Sequence, residues 1–183
     1  MKEKCKTRHR AEKRLKDVLF LILTLRGLVM SKAAKLLILY YSQTGNTEMM
    51  ARAVAEGAKS VPGVNVELVY YAKAEDLANA DAIILGMPTY YHDISLDMKR
   101  LLEEVAAKGI KLKGKIGAAF GSYGWSGEAP SILLEIMKKR FETETIEPGL
   151  TAKYTPNEKA LEECRKLGKT VAEKILKARL SKS

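Results

Sequence analysis

The sequence predicts an α/β fold, a doubly wound parallel sheet with helices on both faces. Apolar runs rich in branched side chains alternate with helical patterns along residues 35–180, as repeated βαβ units do. Three of these runs end in loops of glycine, hydroxyl and aromatic residues instead of hairpin turns. The length of 183 residues and the 46% hydrophobic content suit one domain with a sizeable core.

The first half of this domain contains three predicted strands. Leu36–Leu39 is a continuous apolar run, as expected of a strand buried on both faces, and predicts a strand at 35–41. Apolar residues at helical spacing from Met49 to Ala58 predict a helix at 46–60. Two more strands are predicted at 64–70 and 81–87, with a short turn at 74–79.

The second half continues the alternation. Strands are predicted at 115–121 and 144–150, and helices at 95–108, 128–140 and 156–180. Thr155-Pro156 suits the N-terminal cap and first turn of the last helix. That helix carries an apolar stripe formed by Leu161, Cys164, Leu167, Val171 and Ile175. Cys164 is therefore expected to be a small buried residue, and with only Cys5 as a second cysteine no disulfide framework is predicted.

A polar loop with the sequence Ser-Gln-Thr-Gly-Asn-Thr, residues 42–47, follows the first strand and opens the first helix. Hydroxyl and amide donors, together with the free N–H groups of a helix N-terminus, favour a phosphate. The loop lacks the Lys of a triphosphatase loop, the GxGxxG of a dinucleotide fold and the Cys of a Cys-based phosphatase. It predicts a site for one phosphate monoester. The alternative is an ordinary capped helix after a polar turn.

Two further loops contain aromatic residues. Gly86-Met-Pro-Thr-Tyr90 ends the third strand, and Phe120-Gly-Ser-Tyr-Gly-Trp-Ser-Gly127 ends the fourth. In an open parallel sheet ligands bind at the carboxyl ends of the strands, near the topological switch point. These two loops are therefore expected to hold a flat aromatic ring beside the phosphate.

In this order and spacing, the three loops resemble those of the flavodoxin family. They are most similar to the flavodoxin domain of A-type flavoproteins (flavodiiron proteins), and the resemblance covers residues 35–180. It implies a strand order of 2-1-3-4-5 and FMN as the cofactor. His9 and His92 are too few for the diiron centre of such proteins. The resemblance implies that FMN is bound by Ser42, Gln43, Thr44, Gly45, Asn46, Thr47, Pro88, Thr89, Tyr90, Tyr91, Ser122, Tyr123, Gly124, Trp125 and Gly127. Either Tyr90 or Trp125 is expected to cover the flavin ring.

Residues 1–31 are predicted to be an extension that is separate from a domain at 32–183. Nine Lys and Arg against three acids in the first 30 residues give +6 of the chain's net charge of +10, which leaves +4 for the rest. The apolar run Val18–Leu25 is too short to span a bilayer, which takes about 20 residues. It suits a signal-peptide core, an interfacial membrane helix or a helix packed on a second subunit. Alternatively, Met30 is the natural start, so membrane contact is expected only if the extension belongs to the protein.

The sequence predicts an electron carrier, because no nucleophile or acid–base pair stands out and the flavin supplies the redox chemistry. An FMN-dependent NAD(P)H:flavin or quinone oxidoreductase and a flavin-sensing regulator are the alternatives. Nucleic-acid binding is not expected, because the domain's Lys and Arg residues are scattered. A cytoplasmic location, an acidic redox partner such as a ferredoxin or rubredoxin, and a homodimer as an open alternative complete the prediction.

Overall fold

The computed structural model describes residues 33–181. The predicted extension at 1–31, with Cys5 and His9, lies outside the described residues, and its boundary with the domain stays a prediction. None of the helices within 33–181 is both long and apolar enough to cross a membrane.

The described part of the chain forms a parallel sheet of six strands. Their bounds are β1 Ala34–Tyr40, β2 Val64–Val69, β3 Ala82–Gly86, β4 Ile116–Tyr123, β5 Glu144–Thr145 and β6 Leu150–Lys153. The order along the sheet is β2-β1-β3-β4-β5, and β6 also pairs with β4. In register, Leu36 of β1 lies opposite Val66 on one side and Ala82 on the other. The doubly wound fold and the 2-1-3-4-5 order are confirmed.

The described residues contain five helices, of which four connect strands and the fifth follows β6. Their bounds are α1 Asn46–Lys59, α2 Ala74–Asn79, α3 Leu96–Ala107, α4 Ala129–Phe141 and α5 Glu158–Leu180. Residues 74–79 were predicted as a turn, but they form a short helix. Asp76 stabilises its start by accepting a hydrogen bond from the Lys73 backbone N–H at 2.8 Å.

The predicted strand at 144–150 is instead two short strands. β5 pairs with the start of β4, and β6 pairs with the Phe120–Tyr123 stretch further along the same strand. Pro148 has no N–H to donate to a ladder, and a Cβ at Gly149 would lie 2.7 Å from the Pro130 Cβ. The chain therefore leaves the ladder between the two strands. Pairing with β6 supports β4 as far as Tyr123, two residues beyond the prediction.

Each face of the sheet packs against its own helices. Alternate residues of β1, Leu36 and Ile38, belong to the cluster that contains α1 and α5. Leu37 and Leu39 belong to the cluster that contains α2, α3 and α4. β1 is consequently buried on both faces, as its continuous apolar run predicted.

α1 and α5 cross so closely that only glycine fits at the contact. A Cβ at Gly57 would lie 1.9 Å from the Arg165 carbonyl oxygen, and one at Gly168 would lie 1.9 Å from that of Val54. Cys164 lies fully buried on α5, and burial raises the pKa of its thiol to about 12. Cys164 is therefore an unreactive packing residue, as expected.

We expect Gly57→Ala to destabilise the domain, although alanine normally stabilises a helix interior by about 1 kcal/mol relative to glycine. The new methyl group would overlap the α5 backbone, and overpacking of this kind costs about 1–3 kcal/mol or more. Urea unfolding, followed by circular dichroism, measures the change. Gly168→Ala should behave alike, and stabilisation by either variant would contradict this view of the crossing.

Candidate functional site

A cavity of about 250 Å³ lies where the chain leaves the carboxyl ends of β1, β3 and β4. It is lined by Ser42, Gln43, Thr44, Asn46, Thr47, Pro88, Thr89, Tyr90, Ser122, Tyr123, Gly124 and Tyr154. All three loops singled out in the sequence therefore meet at one site. A larger groove of about 430 Å³ lies between α3 and α4, but none of the predicted site residues lines it.

The first loop presents the start of α1 to the cavity. Gly45 precedes the helix with φ 85° and ψ −14°, a left-handed conformation that glycine adopts without strain. Its carbonyl accepts the first helical hydrogen bond, from the Met49 N–H at 2.9 Å. Glycine has no side chain to accept hydrogen bonds from the free N–H groups of the first helical turn, and no side-chain cap occurs there. The helix N-terminus is thus available to an anion.

Hydroxyl groups line this end of the cavity. The Oγ atoms of Thr47 and Ser122 lie 2.8 Å apart, and both residues are buried, so this hydrogen bond joins the first loop to the third. The Ser42 Oγ is also buried but has no hydrogen-bond partner. Buried polar atoms are nearly always paired, so an orphaned hydroxyl in a cavity indicates a ligand. No Lys or Arg occurs among the described residues that line the cavity.

The second loop forms the opposite wall. Its backbone follows β4 closely, because the Met87 N–H donates to the Phe120 carbonyl at 2.9 Å and the Thr89 N–H donates to the Ser122 carbonyl at 3.2 Å. The Thr89 hydroxyl accepts a hydrogen bond from the Ala129 N–H at the start of α4. Burial is the main cause that raises the pKa of the Tyr90 phenol, so this ring stays neutral at physiological pH.

A strained turn extends beyond Tyr90. The backbone groups of Tyr90 and Asp93 exchange two hydrogen bonds, of 2.9 and 2.8 Å, around Tyr91 and His92. The φ angles of these two residues are 48° and 64°, the left-handed values of primed hairpin turns that favour Asn and Gly. Such a conformation costs about 1–3 kcal/mol per residue for other side chains. An ion pair between Asp93 and Lys99 anchors the turn.

His92 connects this turn to the third loop. Its Nδ1 lies 2.8 Å from the Glu128 Oε1, and its ring meets that of Trp125 edge-on at 4.6 Å. The His92 hydrogen bond, followed by one from Ser126, lowers the pKa of Glu128. The sequence does not indicate this pair, because the two residues lie 36 positions apart.

Eleven of the fifteen predicted cofactor-binding residues line the cavity, and four do not. Gly45 acts through the backbone of the turn. Tyr91 is 96% exposed and Trp125 is 80% exposed, and neither lines the cavity. Gly127 packs on the Tyr123 ring, and a Cβ at Gly127 would lie 3.1 Å from the Tyr123 Cδ1 atom.

Tyr154 is the lining residue that sequence reasoning missed. It directly follows β6, and its N–H donates to the Tyr123 carbonyl at 2.6 Å. An aromatic residue after the last strand was the available signal. It was overlooked because the strand was predicted to end at residue 150.

Charge is distributed unevenly along the strand direction. The first turns of the helices, at the cavity end, contain Glu48, Glu75, Asp76, Asp97 and Glu158. The last turns, at the opposite end, contain Lys59, Lys138, Lys139, Arg140, Lys177 and Arg179. Both sets complement the helix dipoles. The helix ends thus place negative charge towards the cavity and positive charge away from it, and the acidic partner stays a prediction.

Comparison with known proteins agrees with this geometry. The model of the family described as Flavodoxin matches residues 38–168. This chain belongs to the flavodoxin family. A flavodoxin of Aquifex aeolicus is 35% identical over 158 residues, which cover 76% of this chain and 85% of that protein. A solved flavodoxin from the domain Archaea is 40% identical, with a TM-score of 0.69, and the match covers 77% of this chain and 98% of that one.

Type A flavoproteins are also similar to this chain. The type A flavoprotein fprA of Rhodobacter capsulatus is 40% identical over 148 residues, which cover 76% of this chain. The match covers only 33% of that protein, so this chain corresponds to about a third of its length. The predicted resemblance to both groups is confirmed. Flavodoxins bind FMN, so FMN is the cofactor that family membership gives for this chain.

We expect Thr47→Val to destabilise the cofactor-free domain by about 1–3 kcal/mol, because it leaves the buried Ser122 hydroxyl without a partner. Adding Ser122→Ala should restore part of the loss, a coupling that a double-mutant cycle in urea measures. Thr170→Val, an exposed threonine on α5, is the matched control. Additive effects of the two site substitutions would show that this bond does not join the loops.

Proposed function

We propose that this member of the flavodoxin family holds FMN in the three-loop cavity and exchanges electrons with a separate redox protein. The observation that carries the proposal is the buried Ser42 hydroxyl, which has no hydrogen-bond partner and lies beside a helix start without a side-chain cap. Both features leave hydrogen-bond donors available for an anion. Bound FMN supplies the redox chemistry, and the protein sets its affinity and access.

The first loop is proposed to hold the FMN phosphate. Ser42, Thr44 and Thr47 would donate from their hydroxyls and Asn46 from its amide. Gln43 and Gly45 would donate mainly from backbone N–H groups. Because the donors are neutral, they suit one phosphate monoester and would not compensate the charge of a di- or triphosphate.

The second and third loops are proposed to hold the isoalloxazine ring. Pro88, Thr89 and Tyr90 would contact it from one side, with Ser122, Tyr123 and Gly124 opposite. Tyr154 adds a further aromatic ring at the mouth, where it is 62% exposed. Aromatic side chains against a flat ring contribute stacking and exclude water.

The partner is proposed to be a small electron carrier such as a ferredoxin or rubredoxin, and a cytoplasmic location is proposed from family membership. The domain is proposed to begin at residue 32, close to the start of β1.

Steady-state assays with NADH and NADPH distinguish a carrier from a reductase. A carrier should consume neither nucleotide at a catalytic rate without a separate reductase.

We expect the cavity to bind FMN far more tightly than riboflavin, which lacks the phosphate. Thr44→Ala with Asn46→Ala should weaken FMN binding by about 1.5–3 kcal/mol for each hydrogen bond removed, about tenfold or more. Riboflavin affinity should change much less. Fluorescence titration of cofactor-free protein measures both dissociation constants.

The matched control for this experiment is Thr170→Ala with Asn65→Ala, which changes the same residue types at exposed positions away from the cavity. It should leave both affinities unchanged. If the site variant lowers FMN and riboflavin affinity equally, the first loop does not bind the phosphate. If the unsubstituted protein releases FAD when it is denatured, FMN is not the cofactor.

A separate prediction concerns which ring covers the flavin. Because Tyr90 lines the cavity and Trp125 does not, Tyr90→Ala should change the visible spectrum of the bound flavin and weaken FMN binding by about 1 kcal/mol or more. Trp125→Ala should have the smaller effect on both. The reverse ranking would assign the covering ring to Trp125.

A further inference from the structure

The second loop loses its backbone support from β4 just before the strained turn at residues 90–93. Its last backbone hydrogen bond to that strand runs from the Thr89 N–H to the Ser122 carbonyl. In the part of the chain that the structure describes, the turn is joined to the third loop and the start of α4 by one hydrogen bond, between His92 and Glu128. This pair therefore connects the two loops that are proposed to hold the flavin ring.

The pair is a charge-assisted hydrogen bond, with the His92 Nδ1 2.8 Å from the Glu128 Oε1. An ionised carboxylate only accepts, so Nδ1 carries a proton and Nε2 is the nitrogen that gains or loses one. The hydrogen bond from His92, followed by one from Ser126, lowers the pKa of Glu128, so its carboxylate stays charged at the near-neutral pH where histidines titrate. Protonation at Nε2 then turns the hydrogen bond into an ion pair.

Trp125 is placed to favour the same protonated state. Its ring lies 4.6 Å from that of His92, with the two planes inclined by 64°. An indole ring attracts a cation within about 6 Å of its centre. This contact gives the exposed Trp125 side chain a structural role outside the cavity, beside the pair.

Other charges on the elements around His92 are already paired. Asp93, the next residue in the turn, forms an ion pair with Lys99 of α3. On α4 the next charged side chain is Glu135, which pairs with Lys139 at 2.6 Å. The third loop contains no charged side chain. The carboxylate of Glu128 is therefore the charge that decides how the imidazole responds to a proton.

We propose that His92 is a positioning residue for the bound flavin: its pair with Glu128 holds the turn against the start of α4, and protonation at Nε2 tightens that hold. This rests on the proposed function, because the pair acts on the cofactor only if a ring lies between the second and third loops. A flat ring leaves when its two walls move apart. FMN release should therefore be slowest below about pH 6, where a histidine is protonated, and faster above about pH 7.

Solvent limits the size of this effect. The His92 and Glu128 side chains are 54% and 42% exposed, and ion pairs at such exposure have small energies. We expect a change of about threefold in the rate constant of FMN release between about pH 5.5 and pH 8. A role that is only structural would change the rate equally at every pH.

The experiment measures the loss of isotope-labelled FMN from the loaded protein during a chase with excess unlabelled FMN. The comparison variant is His92→Asn, because asparagine suits the φ of 64° at this position but does not titrate. Since the FMN phosphate itself titrates near about pH 6, each parent rate is divided by the variant rate at the same pH. This ratio should rise about threefold from pH 5.5 to pH 8.

Glu128→Gln tests the other partner, because glutamine keeps the size of the side chain and removes its charge. Its rates, divided by those of His92→Asn, should give a ratio that does not change with pH. Adding His92→Asn to Glu128→Gln should leave the pH profile unchanged. Glu173→Gln, the same substitution at an exposed position on α5, is the matched control and should reproduce the parent profile.

Circular dichroism at both pH values establishes that each variant is folded, and Glu128→Gln carries the test if His92→Asn is not. A parent ratio that stays flat with pH, or a Glu128→Gln profile equal to that of the parent, would overturn the positioning role. Either result, obtained with a parent that binds FMN, leaves the proposed function intact. If the parent binds no FMN, the proposed function fails and the role of His92 fails with it.

Discussion

Parallel pairing of β1, β3 and β4 is the constraint on which the functional site depends. Residues of the three strands lie in register, from the Leu36–Ala82 pair to the Gly86–Phe120 pair. Their carboxyl ends therefore open at one edge, and the loops that follow must meet there. The Thr47–Ser122 hydrogen bond and the backbone bonds of Met87 and Thr89 complete that convergence. No single loop has the donors and the walls of a nucleotide site by itself.

Charged residues at the helix ends determine the charge distribution around this edge of the sheet. Acidic first turns and basic last turns each compensate a helix dipole, so the helix ends place negative charge towards the cavity and positive charge away from it. The cavity itself relies on neutral hydroxyl, amide and backbone donors. Net charge, taken from composition, thus describes the molecule but not the surface that a redox partner meets.

Close packing between α1 and α5 fixes the helix that begins at the cavity. α1, which begins at the site, is held against α5 at a contact that only Gly57 and Gly168 permit. Strain is instead concentrated at Tyr91 and His92, in the turn beside the cavity, where Glu128 and Lys99 anchor the flanks. A closely packed helix start and an anchored turn suit a bound ring, because these protein segments need not become ordered when the ring binds.

The sequence by itself determined the fold class, the order of elements and which loops line the cavity. Continuous apolar strands, helical stripes and three loops with unusual composition are local patterns, and eleven predicted residues do line the cavity. Tertiary structure decided the rest. Division of the last strand, the role of Tyr154, the His92–Glu128 pair and the exposure of Trp125 all depend on contacts between distant segments. Hydrophobic periodicity carries no information about such contacts, because they are set by how finished elements pack.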